Sequence, residues 1–199
     1  MRTAPLLAIA VLAGAAGPAP APLSDRDFRQ LMNAAVAAAS DPSQLQPLTS
    51  TICVARELGA PLQARKAAVE MFANAGNGAS PPQTGDAGAD QSIDAAMSST
   101  AAVAHQTSIP ALPRRYLLVH AKALRPQCLI PHSIMRGPNW RRDESIVVLT
   151  FTRPALANGY AYIEEYEGCA GLCGTTFLRV FRKRNGKWTQ IARTILSVS

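Results

Sequence analysis

Asn158-Gly159-Tyr160-Ala161-Tyr162-Ile163-Glu164-Glu165-Tyr166-Glu167, followed by Gly168-Cys169-Ala170-Gly171-Leu172-Cys173-Gly174, is the part of this 199-residue chain from which an architecture can be read. Asn-Gly is a hairpin signal, because both central positions of a tight two-residue turn need positive φ. After it, Tyr160, Tyr162, Glu164 and Tyr166 alternate with Ala161, Ile163, Glu165 and Glu167, the two-residue period of a strand. The strand enters a glycine-wrapped loop with two cysteines four positions apart, which specifies a compact, cross-linked turn.

Working outward, Thr176 to Lys183 has strand composition, Arg184-Asn185-Gly186 turns the chain, and Trp188 to Leu196 forms the next strand. Upstream, Ser145 to Arg153 is a strand with Ile146, Val148 and Phe151 as its bulk. Tyr116 to His120 is strand-like, with helix an alternative through Leu124. Short loops make neighbours antiparallel. The expected fold is therefore α+β: a C-terminal antiparallel meander of about four strands, covered on one face by Ala-rich N-terminal helices. By fold-level analogy it resembles cystatin-like or nuclear-transport-factor-like cones, which implies no function.

The order of strand, Leu-Cys-Gly loop, strand and Asn185-Gly186-Lys187-Trp188 turn also resembles a group of exported bacterial proteins of uncharacterised function. The resemblance covers Ile146 to about Leu196 and implies shape rather than activity.

The first helix is expected from Ser24, a natural N-cap, followed by Asp25 and Asp27 in the first turn. Phe28, Leu31, Met32, Ala35 and Val36 recur at helical spacing up to about Ala39. A second helix is expected from Leu62 to Ala75, and Ser50 to Leu58, with Cys53, reads as helix or loop. The organisation that follows is a leader at 1–16, a helical region at 17–73, a flexible linker at 74–104, and a β-rich region at 105–199 that forms one domain with 17–73. Residues 74–91 hold glycines, Pro81-Pro82 and almost no large apolar side chain, too little to offset ordering entropy. Ser92 to Ala104 reads as a weak small-residue helix or as more of the same.

Arg2, the apolar run Leu6 to Ala16 and Ala13-Gly14-Ala15 form an export signal with a signal-peptidase site. The run is shorter than the ~20 residues that span a bilayer; a retained anchor is the alternative. The expected location is periplasmic or secreted. Charge is uneven: residues 1–111 hold six Lys and Arg against eight Asp and Glu, and residues 112–199 hold fourteen against five. The basic half suits an anionic envelope component or another exported protein as partner, and export argues against nucleic acid. The candidate binding surface is Arg179, Arg182, Lys183, Arg184 and Lys187 around the last hairpin.

Four cysteines, Cys53, Cys128, Cys169 and Cys173, allow three pairings. Cys53–Cys128 and Cys169–Cys173 are expected as structural bridges of an oxidising compartment. In the chain-entropy model the long link contributes about 4.5 kcal/mol and the short one about 2 kcal/mol. Thiol–disulfide chemistry at Cys169/Cys173 fits less well, since the spacing is C-x-x-x-C and the context is strand, loop, strand. His105, His120 and His132 stand singly, so no metal site is expected.

No catalytic constellation, phosphate loop, dinucleotide motif or cofactor signature emerges. Alternation sends Glu164 to one face of its strand and Glu165 with Glu167 to the other; the latter pair is expected on the solvent side of the sheet. The tyrosine stripe is expected to be cross-strand packing. The functional expectation is a non-catalytic, exported binding or envelope-associated accessory protein. The alternatives are a hydrolase-type site in the concave face of the sheet, marked by Glu164 or Glu165/Glu167 lining a deep pocket with a His nearby, and a redox protein using Cys169/Cys173.

Overall fold

The computed structural model describes residues 23–40, 52–74, 83–98, 104–124, 128, 147–168 and 174–198. They form α1 (Asp25–Ala39), β1 (Ile52–Ala55), α2 (Gln63–Asn74), α3 (Ala87–Ser98), β2 (Tyr116–Val119), a 3-10 turn (Ala121–Ala123), β3 (Val147–Phe151), β4 (Ala155–Ala157), β5 (Tyr160–Gly168), β6 (Gly174–Arg184) and β7 (Lys187–Val198). The fold is α+β. The expected leader and the loop cysteines Cys169 and Cys173 lie outside the described residues.

The sheet is larger than the four expected strands, and it is mixed. Its order is β2-β1-β3-β5-β6-β7, with β4 paired to β5 off this path. β1 runs parallel to both β2 and β3, whereas the pairs β3–β5, β4–β5, β5–β6 and β6–β7 are antiparallel. β1 lies within the region expected to be helical. Its four residues Ile-Cys-Val-Ala carry no alternation, because a central strand is buried on both faces and need not alternate.

The hairpins form where Asn-Gly stands. Asn158 and Gly159 have φ of 49° and 80°, and Asn185 and Gly186 have φ of 51° and 75°, the positive values such a turn requires. α1 begins at its expected cap: the Ser24 hydroxyl accepts from the Asp27 amide at 3.1 Å. Its apolar stripe, Phe28, Leu31, Met32, Ala35, Val36 and Ala39, packs on Val54, Leu149, Phe151, Ala161, Ile163 and Phe181.

Helical residues also pack on the opposite face of the sheet. Ala89, Ile93 and Ala96 of α3 pack with Leu62 on Tyr160, Tyr162, Leu178 and Val180. Residues 87–98 are thus a packed helix within the 74–104 stretch, agreeing from Ser92 with the weak-helix alternative and starting five residues before it. The bulk that α3 lacks comes from the sheet. The Tyr162 hydroxyl donates to the Ala89 carbonyl at 2.8 Å, and a Cβ at Gly88 would collide with the Tyr160 hydroxyl. β5 is buried on both sides from Tyr160 to Glu165.

Cys53 in β1 and Cys128 are joined by a disulfide, with Cα atoms 6.2 Å apart. The bridge sits in a small cluster with Val119 and Val148, against which Ala123 and Leu124 pack.

Candidate functional site

On the α3 face, the cross-strand register places Thr150, Tyr166 and Thr176 in one row across β3, β5 and β6. Glu164 stands two residues along on the same face and, like this row, lines an open cavity of about 670 Å³. The walls come from four places: Ala55 at the end of β1, the chain from Glu57 to Gly59, the start of α2 at Gln63 and Ala64, and the 3-10 segment with Ala121 and Leu124. Phe151 and Thr152 complete it. Most of the surface is apolar, and its polar groups are hydroxyls, one amide side chain and two carboxylates.

Glu164 is 3% exposed. Its two oxygens accept from the amides of Arg65 at 2.5 Å and Ala64 at 3.1 Å, so a sheet side chain caps the first turn of α2. The leading amides of a helix lack an intrahelical partner, and a carboxylate at that end also meets the favourable pole of the helix dipole. Burial nonetheless outweighs these contacts and pushes the Glu164 carboxyl above its ordinary value. Its own backbone is fixed too: its amide donates to the Thr152 hydroxyl at 2.9 Å.

Glu57, at the rim, is built in the contrary way. One oxygen lies 2.7 Å from His120 Nδ1 and the other accepts from the Ala121 amide at 2.7 Å. These hydrogen bonds hold its carboxyl down at about 2. The cavity therefore has one well-ionised carboxylate at its mouth and one strongly buried carboxyl deeper in.

Tyr166 supplies the aromatic surface. Its ring lies over Gly168 and Gly174, which face each other across β5 and β6. A Cβ would approach the ring carbons to 2.8 Å at Gly168 and 2.6 Å at Gly174, so the glycines at both ends of the cysteine loop leave room for it. The ring remains 40% exposed. Of the tyrosine stripe, Tyr160 and Tyr162 are packing residues as expected, and Tyr166 is a cavity residue.

The other candidates lie elsewhere. Glu165 and Glu167 are on the α1 face, as alternation requires, but Glu165 is not on a solvent side. It is wholly buried and paired with the Arg179 guanidinium through Nε, whose Nη1 donates to the Gln190 side chain at 2.7 Å. Arg179 consequently does not belong to the exposed basic surface proposed for it, because its strand position points inward and Glu165 there supplies the counter-charge. Arg193 lies beside Arg179 on β7, stacks over the Phe177 ring at 3.6 Å and reaches Glu167 at 3.9 Å. Burial, with Glu165 nearby, raises the Glu167 carboxyl.

Arg182, Lys183, Arg184 and Lys187 are exposed on the last hairpin. Arg184 and Lys187 are cross-strand partners, Lys183 pairs with Asp27 of α1 at 2.6 Å, and Arg182 stacks over Tyr160 at 5.2 Å. These four therefore remain together as a basic hairpin, and none of them lines the cavity.

The sequence singles out no cavity residue other than Glu164 and Tyr166 as a candidate. Glu57, Leu58 and the α2 start converge only through the parallel β1 crossover, which has no local signature. Among the described residues, no group of three or more His, Cys, Asp or Glu is placed to hold a metal ion, and no helix is long and apolar enough to cross a membrane. Comparison of the chain with protein-family models, with curated proteins and with solved structures finds no match in any of the three.

Proposed function

We propose that this chain is an exported, disulfide-stapled binding protein that takes a small, largely apolar molecule into the cavity on the α3 face and performs no chemistry on it. The observation that carries this reading is the cavity itself. A concave site of about 670 Å³ with apolar walls and a few convergent polar groups has the build of a small-molecule pocket. In this reading the antiparallel run β3, β5, β6 and β7 serves as a platform, and the helices and the 3-10 segment serve as walls. Export rests on the Arg2 to Ala16 leader and on the use of cysteine in a bridge. The hairpin cations Arg182, Lys183, Arg184 and Lys187 then act secondarily, as a contact for an anionic envelope component or another exported protein. Neither a cofactor nor nucleic acid enters the proposal.

A hydrolase-type reading draws on one specific observation: Glu57 and Glu164 line the same cavity in environments that push their ionisation in opposite directions, as acid and base pairs require. Against it, both oxygens of each carboxylate are already hydrogen-bonded within the protein. Groups so engaged are positioned to build the wall rather than to shuttle protons.

The neutral fluorophore N-phenyl-1-naphthylamine tests the cavity. Purified protein is expected to bind it saturably, one per chain. Thr176→Trp, which fills the floor from β6, is expected to abolish uptake, and joint replacement of Arg182, Lys183 and Arg184 by Ser is expected to leave it intact. Unsaturable uptake, or binding indifferent to Thr176→Trp, would refute the pocket as the functional site.

A further inference from the structure

The cavity departs in charge from the molecule around it. The chain holds 20 Lys and Arg against 13 Asp and Glu, a net charge of +7. Among the described residues, however, the cavity lining includes two carboxylates, Glu57 and Glu164, and no Lys, Arg or His. A random patch on so basic a chain would favour the opposite sign. The hydrogen-bond partners that hold these carboxylates also bring no Lys or Arg side chain: they are the backbone amides of Ala64, Arg65 and Ala121, and the imidazole of His120.

An aromatic ring lies within the same lining. Tyr166 is seated over Gly168 and Gly174 and keeps part of its surface open to the cavity. The negative face of an aromatic ring attracts an ammonium group, most strongly where water is thinned out. Thr150 and Thr176 flank Tyr166 in the floor row and offer hydroxyl oxygens as acceptors for N–H donors. An anionic ligand would face two carboxylates and no Lys, Arg or His among the lining residues, a juxtaposition that disfavours it, although His120 stands behind Glu57 and the Lys66 charge is felt at Glu164.

Resting on the small-molecule reading above, the geometry points to an organic cation as the ligand class of this cavity: a protonated amine or quaternary ammonium group carried on an apolar body. The cationic head lies toward Glu57, Glu164 and the Tyr166 ring, and the apolar body lies against Ala55, Leu58 and Leu124. This also separates the two charged features of the molecule. The basic hairpin repels such a ligand, while the cavity collects it.

Calorimetric titration with three probes of one shape tests the class: phenethylamine, phenethyl alcohol and phenylacetate, which are a cation, a neutral molecule and an anion at about pH 7.5. The expected order is the amine about tenfold tighter than the alcohol, with phenylacetate weakest. Glu57→Gln is expected to cut the preference for the amine over the alcohol roughly fivefold. Glu164→Gln is expected to act in the same direction. Equal binding of all three, or a preference for phenylacetate, overturns the cationic class and leaves the pocket standing. The cationic class falls likewise if none of the three binds while N-phenyl-1-naphthylamine still does. If that neutral fluorophore also fails to bind saturably, the pocket reading falls with it.

Discussion

Both oxygens of Glu164 are taken up by amides of the α2 N-terminus, so its side chain joins sheet to helix as well as lining the cavity. Its carboxyl is raised above the ordinary 4.5 by burial. The native state therefore binds this proton more tightly than the unfolded chain does. The stability it contributes is full below pH 4.5 and declines as pH rises through the raised native value. Urea denaturation between about pH 4 and 8 is expected to show that decline, and Glu164→Gln is expected to flatten it. Glu164→Ala also leaves the Ala64 and Arg65 amides without their acceptor and is expected to cost about 2–4 kcal/mol at about pH 4, and less as pH rises. Its chain neighbour Glu165 makes the complementary case. Glu165 Oε1 and Arg179 Nη2 are buried without a hydrogen bond among the described residues, so the pair is incompletely satisfied. Arg179→Ala would strand a buried carboxylate and is expected to cost about 3–5 kcal/mol in the same denaturation assay. Replacing both partners, Glu165→Leu with Arg179→Met, is expected to recover most of that loss.

At the scale of the element, local signals were legible where the chain itself supplies the partner. Ser24 caps α1, and Asn158-Gly159 and Asn185-Gly186 close hairpins, because in each case the cause lies within a few residues. β1, expected as helix or loop, and the first turn of α3, ahead of the weak helix read from Ser92, escape local reading because their causes lie elsewhere in the chain. Ile52 to Ala55 is a strand since β2 and β3 flank it on both sides. α3 tolerates glycine and alanine since Tyr160 and Tyr162 rise from β5 to fill the space that larger helical residues would take. Its start still carries a readable cap: Asp86 Oδ1 accepts from the Ala89 amide at 2.8 Å. Asp86→Ala is expected to cost about 1 kcal/mol in the same measurement. The glycine pair of β5 and β6 makes room for the Tyr166 ring. Because Tyr166 is partly exposed, its ring can yield outward when Gly174→Ala places a methyl group beneath it. That variant is expected to lose N-phenyl-1-naphthylamine affinity severalfold with a stability loss of only about 1 kcal/mol.

For the whole molecule, the candidate site is assembled from both halves of the chain, and this is why so little of it could be read in sequence. Its floor comes from the antiparallel strands, but its walls come from Ala55 to Ala64 and from Ala121 to Leu124, brought together by the parallel pairing of β1 with β2 and β3. The Cys53–Cys128 bridge spans the same junction. Cys53 lies in β1, and Leu124, a cavity residue, packs on the cluster around the bridge. The bridge therefore acts on two quantities at once. By closing a long loop it restricts the unfolded chain, a contribution of about 4.5 kcal/mol in the entropy model. By anchoring the 3-10 segment against β1 and β3 it also fixes one wall of the cavity. Replacing Cys53 and Cys128 together by Ala separates this bridge from any other in the chain. The doubly substituted protein is expected to lose roughly 3–5 kcal/mol in urea denaturation. At a temperature where it is still folded by circular dichroism, its uptake of N-phenyl-1-naphthylamine is expected to fall as well. Destabilisation with full uptake in the folded fraction would assign the bridge to stability alone, and would place the Ala121 to Leu124 wall under the control of its packing on β2 and β3.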